Sequence, residues 1–366
     1  MPRMIVTYRV RSDAAAIGAR AAAIAVEQSV EMPVTAISDE TVLKDIVGEA
    51  IGIRETGSGV YDVNIALSTA TMGNDPGQLL NMLFGNSSLQ ETVRLVDAEL
   101  SDATIGLFGG PRHGIEGLRR RCGAAGRALT CSALKPQGLS PAGLADIAYE
   151  LALGGIDFIK DDHGLADQAY SPFAGRVEAC AGAVRRANRE TGFRTHYAPN
   201  ISGDLDAMRD QLSLASAVGV DTALIEPMIC GLSNFHRVVK DFPAIAFIAH
   251  PAMAGPSHIA PPLLLGKLFR LFGADVTVYP NYGGRFSYSK ETCLRIAEEA
   301  RRPCGDLKPC LPAPAGGMTL DRVPELLDFY GKDTMLLIGG SLLAAKDRLR
   351  QETSAFVSRV ASYFQG

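Results

Sequence analysis

The sequence lacks the features that mark several common functional classes. Acidic and basic residues are interspersed and the formal net charge is −4. No basic stripe or arm favours nucleic acid as a partner, and no Lys/Arg cluster beside an apolar helix favours an anionic membrane surface. Apolar runs such as AIAFIAHPAMAG are broken by His, Pro or Gly well before the roughly 20 residues that a membrane-spanning helix needs. The amino terminus, MPRMIVTYRV, has no apolar signal-peptide core. These absences predict a cytoplasmic protein.

Two further motifs are missing. The seven cysteines form no CxxC pair and are odd in number, which argues against a disulfide framework and predicts reduced thiols. No GxGxxG follows the first strand pattern, which disfavours a doubly wound sheet that binds a dinucleotide.

The patterns that are present divide the chain into two parts. Residues 1–115 alternate between short strands and helices and predict an α+β domain of ferredoxin-like type. The strand patterns are MIVTYRV, GVYDVNIALS and ATIGLFGG, and the helix patterns are DAAAIGARAAAIAVEQ and GQLLNMLFG. Asp13 is expected to cap the first helix.

Residues 116–366 repeat a unit of apolar strand, loop and helix. The strand candidates are ALTCSALKP, GIDFIKDD, RTHYAPN, TALIEP, AIAFIAHP, ADVTVYPN, CLPAPAGG and TMLLIGG. They are apolar on both faces, as parallel strands covered by helices must be. Eight such units fit a (β/α)₈ (TIM) barrel, which typically takes about 250 residues.

Polar or glycine residues follow the predicted strands at their carboxyl ends. They are Lys135, the segment from Lys160 to His163, His196 with Asn200, Glu226, His250, Asn281 with Arg285, the pair Gly316 and Gly317, and the pair Gly339 and Gly340. In a barrel these ends form one mouth, where the loops carry catalytic groups. The set therefore predicts an active site at that mouth.

The segment GGIDFIKDDHG places ionisable groups directly after a buried strand. Lys160 and Asp162 alternate along one face, so both can point into the mouth while Asp161 points away. An Asp beside a strand-end Lys serves either a hard cation such as Mg²⁺, which prefers oxygen ligands, or a salt bridge. From these residues alone both alternatives remain open.

The two glycine pairs predict a phosphate site. Loops after the seventh and eighth strands of many barrels turn backbone N–H groups onto a phosphate, and glycine permits the close approach. Gly316, Gly317, Gly339 and Gly340 occupy these places, and Arg285 could add a cationic donor.

Several of these motifs together resemble the ribulose-bisphosphate carboxylase large-chain superfamily. GGIDFIKDD resembles its strand-two motif and SALKPQGLSP its strand-one lysine motif, while HYAPNISGD, IAHPAMAG, PAPAGGM and LLIGG follow in the family's order. LFGN resembles the loop of the N-terminal domain that carries an asparagine. The resemblance covers nearly the whole chain.

The resemblance implies roles for particular residues. Lys160 would be carbamylated by CO₂ and would bind Mg²⁺ together with Asp162, and Lys135 would transfer protons. His250 would contact phosphate or substrate. Asn86 would reach the barrel mouth of the other subunit in a homodimer with shared active sites.

The sequence also departs from the pattern of a carbon-fixing enzyme. His163 stands where a third metal ligand should be a carboxylate, so another divalent metal could replace Mg²⁺ if the imidazole binds it. In the segment KPQGL, Gln137 stands where the family pattern has a second lysine. The segment HPAMA, which begins at His250, lacks the arginine and the second histidine that the pattern leads us to expect. These losses predict a RuBisCO-like protein of the non-carbon-fixing class, nearest the methionine-salvage branch.

What remains is a metal site, a base and one phosphate site, which together suit enolisation of a mono-phosphorylated ketose. Within that branch, the resemblance implies the activity of a 5-methylthioribulose-1-phosphate isomerase, and AVEQSVEMP and YPNYGG are expected to suit the methylthio tail. Alternatives are a 2,3-diketo-5-methylthiopentyl-1-phosphate enolase, a decarboxylase of an oxo-sugar acid phosphate and a catalytically inactive phosphate-ligand binder. An aldolase that uses Lys160 or Lys135 as a Schiff base is a further rival.

Overall fold

A computed structural model describes residues 2–364. The chain forms two compact units. One contains Met1–Gly109, Met253–Leu264 and Cys304–Asp306; the other contains Gly110–Ala252, Leu265–Pro303 and Leu307–Gly366. Within residues 2–364, no helix is long and apolar enough to cross a membrane.

The first unit is built on an antiparallel sheet with the strand order β2-β3-β1-β4. Its strands are β1 (Arg3–Arg11), β2 (Glu49–Gly57), β3 (Val60–Ser68) and β4 (Val93–Glu99). Its helices are α1 (Ile17–Glu27), α2 (Glu40–Asp45), α3 (Pro76–Phe84) and α4 (Asp102–Phe108). The alternating burial of β1, in which Met4, Val6, Tyr8 and Val10 are buried, explains why its strand pattern could be recognised. The predicted α+β architecture is confirmed.

Three local predictions in this unit were wrong. ATIGLFGG, expected to be a strand, forms α4, because Ser101 accepts a hydrogen bond from the Thr104 amide and Gly109 ends the helix with φ 81°. The strands β2 and β4 were missed, since their polar residues give a weak alternating pattern. Asp13 does not cap α1 with its side chain; its carbonyl oxygen accepts from the amides of Ala16 and Ile17, in the turn before the helix.

The second unit is a parallel barrel. Its strands are β5 (Leu129–Leu134), β6 (Phe158–Asp161), β7 (His196–Ala198), β8 (Asn200–Ile201), β9 (Thr222–Ile225), β10 (Ala246–Ala249), β11 (Val276–Pro280), β12 (Leu311–Ala315) and β13 (Met335–Leu337). Pro199 interrupts one barrel strand into β7 and β8. Each of the eight strand patterns is therefore confirmed.

The ladders run in the order β13-β5-β6-β7 and β8-β9-β10-β11-β12. The Thr334 hydroxyl donates to the Pro312 carbonyl over 3.0 Å, which links the start of β13 to β12. The barrel thus brings the carboxyl ends of all its strands to one face, where βα loops carry function.

One helix precedes the first barrel strand, and the others follow strands of the barrel. They are α5 (Gly114–Cys122), α6 (Pro141–Leu153), α7 (Phe173–Thr191), α8 (Leu205–Ala217), α9 (Pro227–Cys230), α10 (Leu232–Asp241), α11 (Phe269–Leu271), α12 (Lys290–Arg301), α13 (Val323–Tyr330), α14 (Gly340–Leu343) and α15 (Leu349–Tyr363). The buried core joins apolar residues of successive strands, among them Phe158, Leu224, Ile248, Val278 and Leu311. This core fixes the strand ends on which the site depends.

Candidate active site

Lys135 lies directly after β5, at the mouth of the barrel. Its Nζ is 2.6 Å from Oδ1 of Asp162, and the Lys135 side chain is 38% exposed whereas that of Asp162 is 10% exposed. The sequence left open whether Asp162 forms a salt bridge. In the structure it does, and its partner is Lys135.

Lys160, the third residue of β6, is buried, with 3% of its surface exposed. Its Nζ donates a hydrogen bond to the Asp161 carbonyl oxygen over 2.8 Å. Burial lowers the pKa of Lys160, because a charged ammonium loses its hydration there. Burial thus makes this amine easier to deprotonate than that of an exposed lysine, and the deprotonated amine is the form that can react with an electrophile such as CO₂.

Asp161 points away from these groups, as predicted, and forms a buried ion pair. Its Oδ2 lies 2.9 Å from Nε of Arg176, and both side chains have no exposed surface. The Tyr197 hydroxyl donates to Oδ1 over 2.8 Å, and the Asn200 amide donates to Oδ2 over 3.1 Å. These bonds tie β6 to α7, β7 and β8, and so fix the backbone that carries Lys160 and Asp162.

Replacing Arg176 with methionine is expected to lower the free energy of unfolding by about 3–5 kcal/mol, because the carboxylate of Asp161 would remain buried without its counter-charge. Chemical denaturation followed by circular dichroism measures the loss. The double variant Arg176→Met with Asp161→Asn should regain part of it. A single variant as stable as the wild type would show that the ion pair contributes nothing to the fold.

Asp162 and His163 follow β6 and face Lys135 and His250. Burial opposes the ionisation of Asp162, but hydrogen bonds from His163 and Lys135 outweigh it and hold the pKa of Asp162 well below its usual value. Nδ1 of His163 lies 3.5 Å from Oδ1 of Asp162. The carboxylate is thus charged and already accepts two donors.

The imidazoles of His163 and His250 stack, with ring centroids 4.3 Å apart and an interplanar angle of 12°. Burial, followed by the charge of Lys160, lowers the pKa of His250 to about 2. Its Nδ1 accepts a hydrogen bond from the Ala252 amide over 3.2 Å, which leaves Nε2 as the protonated nitrogen of a neutral ring. His250 is therefore placed to donate from Nε2 rather than to act as a cation.

Glu226 and Asn200 add two buried polar groups that sequence reasoning named only as strand ends. Glu226 is 3% exposed and Asn200 is 1% exposed. Among the atoms of residues 2–364, neither Oε1 of Glu226 nor Oδ1 of Asn200 has a hydrogen-bond partner. Burial raises the pKa of Glu226 to about 7, an effect that the nearby His163 and Lys160 oppose. The position of Glu226 after an apolar strand was the available signal, and its missing partner was not visible in the sequence.

The two predicted phosphate loops are linked to each other. The Ser341 hydroxyl, in α14, donates to the carbonyl of Met318 over 2.8 Å, so the loop after β12 contacts the loop after β13. A Cβ added to Gly340 would meet no atom within 4 Å. The space into which a side chain at position 340 would extend is therefore open.

Gly316 and Gly317 have a structural reason to be glycine. Their φ angles are 89° and 78°, values that residues other than glycine rarely adopt. A Cβ on Gly317 would lie 3.0 Å from the Arg285 amide nitrogen and 3.1 Å from Cα of Gly284. Glycine at these two positions therefore lets the loop that contains Gly284 and Arg285 pack closely, independently of any ligand. Arg285 itself is exposed and its guanidinium lies over the Phe286 ring, 5.3 Å from the centroid.

Other residues lie away from this mouth or in the other unit. His196 begins β7 rather than ending it, and its Nδ1 is 2.9 Å from Oδ1 of Asp221, which precedes β9; the strand-end assignment was wrong because the strand starts later than the pattern suggested. Asn86 is exposed in the N-terminal unit, and its amide donates to Glu27 over 2.9 Å.

The segment YPNYGG does not present its rings to a substrate. Tyr279 is fully buried and Tyr282 is 5% exposed. The Tyr282 ring packs against Phe329 at 4.8 Å between centroids, and its hydroxyl donates to Glu325 over 2.8 Å. Burial against α13 therefore argues against the predicted contact between this segment and a methylthio tail.

The site contains part of what a divalent cation needs. Within residues 2–364, no three side chains among His, Cys, Asp and Glu converge to hold a metal ion. The buried amine of Lys160, whose pKa is lowered by burial, would supply an additional oxygen ligand after reaction with CO₂. Glu226 offers a carboxylate oxygen that has no hydrogen-bond partner within residues 2–364. These oxygen donors fit a hard cation such as Mg²⁺.

Comparison with known proteins identifies the family. The model of the ribulose bisphosphate carboxylase large chain, catalytic domain, matches residues 114–280. The chain is 59% identical to a 5-methylthioribulose-1-phosphate isomerase of Rhodospirillum rubrum over 360 residues, which cover 98% of this chain and 96% of that protein. It is 36% identical to a 2,3-diketo-5-methylthiopentyl-1-phosphate enolase of Geobacillus kaustophilus over 290 residues, 76% of this chain and 70% of that one.

The fold agrees with these similarities. A crystal structure of a Rubisco-like protein from Rhodopseudomonas palustris matches with a TM-score of 0.94 at 56% identity, and the match covers 99% of each chain. Three findings lead to the same assignment: the barrel with an N-terminal α+β domain, the KDD motif at Lys160 to Asp162, and the similarity to these proteins. The chain belongs to the ribulose bisphosphate carboxylase large-chain family, in its RuBisCO-like, type IV branch, whose members do not fix carbon.

Proposed function

We propose that the protein is a metal-dependent 5-methylthioribulose-1-phosphate isomerase. The observation that carries the proposal is the constellation of Lys135, Lys160 and Asp162 at the barrel mouth, in a chain 59% identical to an isomerase of that name. Isomerisation of a ketose needs a base beside an acidified C–H bond and a means of stabilising the enediolate. This constellation supports both requirements.

Lys135 is the group that we assign to proton transfer. Its Nζ is the more exposed member of the pair with Asp162, so it can reach a bound substrate while the carboxylate holds its position over 2.6 Å. His250, neutral and partly buried, would donate a hydrogen bond from Nε2 to a substrate oxygen. Both groups lie beside the largely buried Asp162, where electrostatic interactions are stronger than in water.

Lys160 would take up CO₂ as a carbamate. In its deprotonated form the amine nitrogen would form an N–C bond to CO₂ while the electron pair of one C=O π bond moves onto its oxygen, and the nitrogen would then release a proton to solvent. The resulting carbamate and Asp162 would hold the cation, which supplies Lewis-acid polarisation of the ketone when bound. Mg²⁺ is the proposed metal, and CO₂ is the proposed activator.

The test is turnover of 5-methylthioribulose 1-phosphate in D₂O, followed by ¹H and ³¹P NMR, with Mg²⁺ and bicarbonate. The expected result is an isomeric ketose phosphate that carries deuterium from solvent at a carbon next to the carbonyl. Unchanged substrate under these conditions, with folded and metal-loaded protein, would overturn the assignment. Ribulose 1,5-bisphosphate with labelled bicarbonate should give no labelled product.

The second candidate is a 2,3-diketo-5-methylthiopentyl-1-phosphate enolase, favoured by the 36% identity to the Geobacillus protein of that name. The same base and cation would enolise a diketone. Parallel reactions with the two substrates separate the candidates. Turnover of the diketone alone would replace the isomerase by the enolase.

The glycine loops after β12 and β13 are the proposed phosphate site, with Arg285 as an additional donor. Replacing Gly340 with valine should raise KM about tenfold or more with little change in kcat, because hydrogen bonds to a charged phosphate are worth about 1.5–3 kcal/mol each. Steady-state kinetics measures the effect. The surroundings of Gly340 leave space for the side chain, so the variant should fold.

The matched control is Gly106→Val, at an equally open glycine in the N-terminal unit. It should leave KM unchanged. Gly317→Val is a poorer test, since its side chain would collide with the backbone of Gly284 and Arg285. A Gly340→Val enzyme with the wild-type KM would place the phosphate elsewhere.

We also propose a homodimer whose subunits share active sites, with Asn86 of one subunit acting at the mouth of the other. The exposure of Asn86 supports this assignment, because the side chain lies at the surface, where its amide donates to Glu27. Mixing Asn86→Ala with Lys135→Met subunits is the corresponding test. Partial recovery of activity in the mixture supports shared sites, whereas no recovery contradicts them.

A further inference from the structure

Glu226 is a buried carboxyl group whose position is costly without a ligand. It follows β9 at the barrel mouth, is 3% exposed, and its Oε1 accepts no hydrogen bond from any of residues 2–364. Burying a polar group without a partner costs free energy, and burying a carboxylate costs more. A site that binds a cation would offset this cost.

The surroundings of Glu226 contain a second acceptor of the same kind. The Asn200 side chain donates from Nδ2 to the carbonyl oxygens of His163 and Leu165, over 3.0 and 2.9 Å. Its Oδ1 is left without a partner in the described part of the chain. A hydrogen bond from the Asn200 side chain favours the ionised form of Glu226, but Oε1 of Glu226 and Oδ1 of Asn200 each remain acceptors without a donor within residues 2–364.

Glu226 lies near Lys160. Both His163 and Lys160 act electrostatically on Glu226 and favour its ionised form. Asp162, two residues beyond Lys160, is the other carboxylate of the mouth. A cation bound by Asp162 and by a carbamate on Lys160 would therefore have the Glu226 carboxylate within its surroundings.

His163 is poorly suited to the vacant ligand role that its position suggests. Its ring stacks face to face on His250, and its Nδ1 is directed to Asp162 at 3.5 Å. Mg²⁺ prefers oxygen to imidazole nitrogen. The imidazole of His163 instead stacks on His250 and faces the Asp162 carboxylate.

We propose that Glu226 supplies the third protein ligand of the divalent cation, as a carboxylate from the end of β9 that replaces the carboxylate missing at position 163. The inference rests on the metal site of the proposed function and extends it. It predicts an all-oxygen site with a preference for Mg²⁺ or Mn²⁺ over softer metals. It also accounts for the lack of a three-residue cluster of His, Cys, Asp and Glu within residues 2–364, because one ligand forms only when Lys160 reacts with CO₂.

The test measures metal binding directly. Mn²⁺ bound by the full-length protein in bicarbonate, without substrate, is counted by electron paramagnetic resonance for the wild type, Glu226→Gln and His163→Gln. Glu226→Gln should raise the Kd for Mn²⁺ by at least about tenfold, the lower bound seen when groups around a metal site are altered. His163→Gln should change it much less.

The folding of each variant is checked by its thermal melting temperature. Mg²⁺ with bicarbonate should raise the Tm of the wild type, since a ligand that binds only the folded state stabilises it. The Tm of metal-free Glu226→Gln should equal or exceed that of the metal-free wild type, and Mg²⁺ should not raise it. A matched control, Glu150→Gln, alters an exposed carboxylate on α6 and should bind Mn²⁺ normally.

A rescue variant sharpens the test. His163→Glu combined with Glu226→Gln returns a carboxylate to position 163 and should recover Mn²⁺ binding. Wild-type Mn²⁺ affinity in Glu226→Gln would overturn the inference, as would a loss of binding in His163→Gln alone. The same holds if the wild type binds no Mn²⁺ in bicarbonate. Metal binding through Glu226 without turnover of methylthioribulose phosphate would instead contradict the proposed function and leave this inference standing.

Discussion

Replacing Lys135 with methionine is expected to lower kcat by about 10²–10⁴-fold, the range that a positioned general acid or base contributes. The ammonium group lies 2.6 Å from Asp162 at the barrel mouth and is the more exposed member of the pair, so its removal takes away the proposed proton carrier. KM should change little, because Lys135 acts mainly in the transition state. Steady-state kinetics with NMR detection of deuterium exchange measures both quantities.

The variant also separates a catalytic role from a structural one. Methionine retains most of the side-chain volume, and Mn²⁺ should still bind, since the proposed ligands are Lys160, Asp162 and Glu226. Lys332→Met, which removes an exposed lysine from the loop before β13, is the matched control and should keep full activity. Deuterium exchange at the wild-type rate in Lys135→Met would assign the proton transfer to another group.

The sequence allowed the barrel to be predicted because its strands are apolar on both faces. Every one of the eight patterns, from ALTCSALKP to TMLLIGG, contains an observed strand. The polar residues at their ends followed from this periodicity, and most of them lie at the mouth. His196 was the exception. It was expected near the carboxyl end of its strand, but it is the first residue of β7.

The N-terminal unit was harder to predict from local patterns. Its β2 edge strand exposes Ile51 and Ile53 and has no continuous apolar face. ATIGLFGG is apolar enough for a strand, but the Ser101 cap and Gly109 make it a helix. In both cases the deciding interaction involves a partner strand or a terminal cap rather than the hydrophobic residues themselves.

The pairings within the site depend on the three-dimensional fold. Periodicity placed Lys160 and Asp162 on one face and Asp161 on the other. It could not choose Lys135 as the partner of Asp162, since the two are 27 positions apart in sequence. Nor could it show that Glu226 lacks a partner, because this property depends on every neighbouring strand end.

Replacing Lys160 with methionine is expected to abolish the response to CO₂ and to lower kcat/KM by roughly 10³-fold or more. Polarisation of a carbonyl by a metal is worth several kcal/mol, and each 1.36 kcal/mol is a factor of ten in rate. Wild-type activity and Mn²⁺ binding should rise as bicarbonate is added at fixed metal concentration, and those of the variant should not. Enzyme assays and paramagnetic resonance at increasing bicarbonate measure the two responses.

The stability of Lys160→Met should not fall, because burial already penalises the charged form of Lys160 and a methionine of similar length needs no hydration. A loss of activity with an unchanged Tm therefore reports chemistry rather than unfolding. Treatment with borohydride in the presence of substrate tests the aldolase rival, which requires a trapped adduct on Lys160 or Lys135. If Lys160→Met keeps its activity, or if chelation of metal leaves the wild-type rate unchanged, then the carbamate and the cation have no part in the reaction. The buried amine, the charged carboxylate of Asp162 and the unpartnered oxygen of Glu226 then need another explanation, and the inactive phosphate-ligand binder becomes the better account of the mouth.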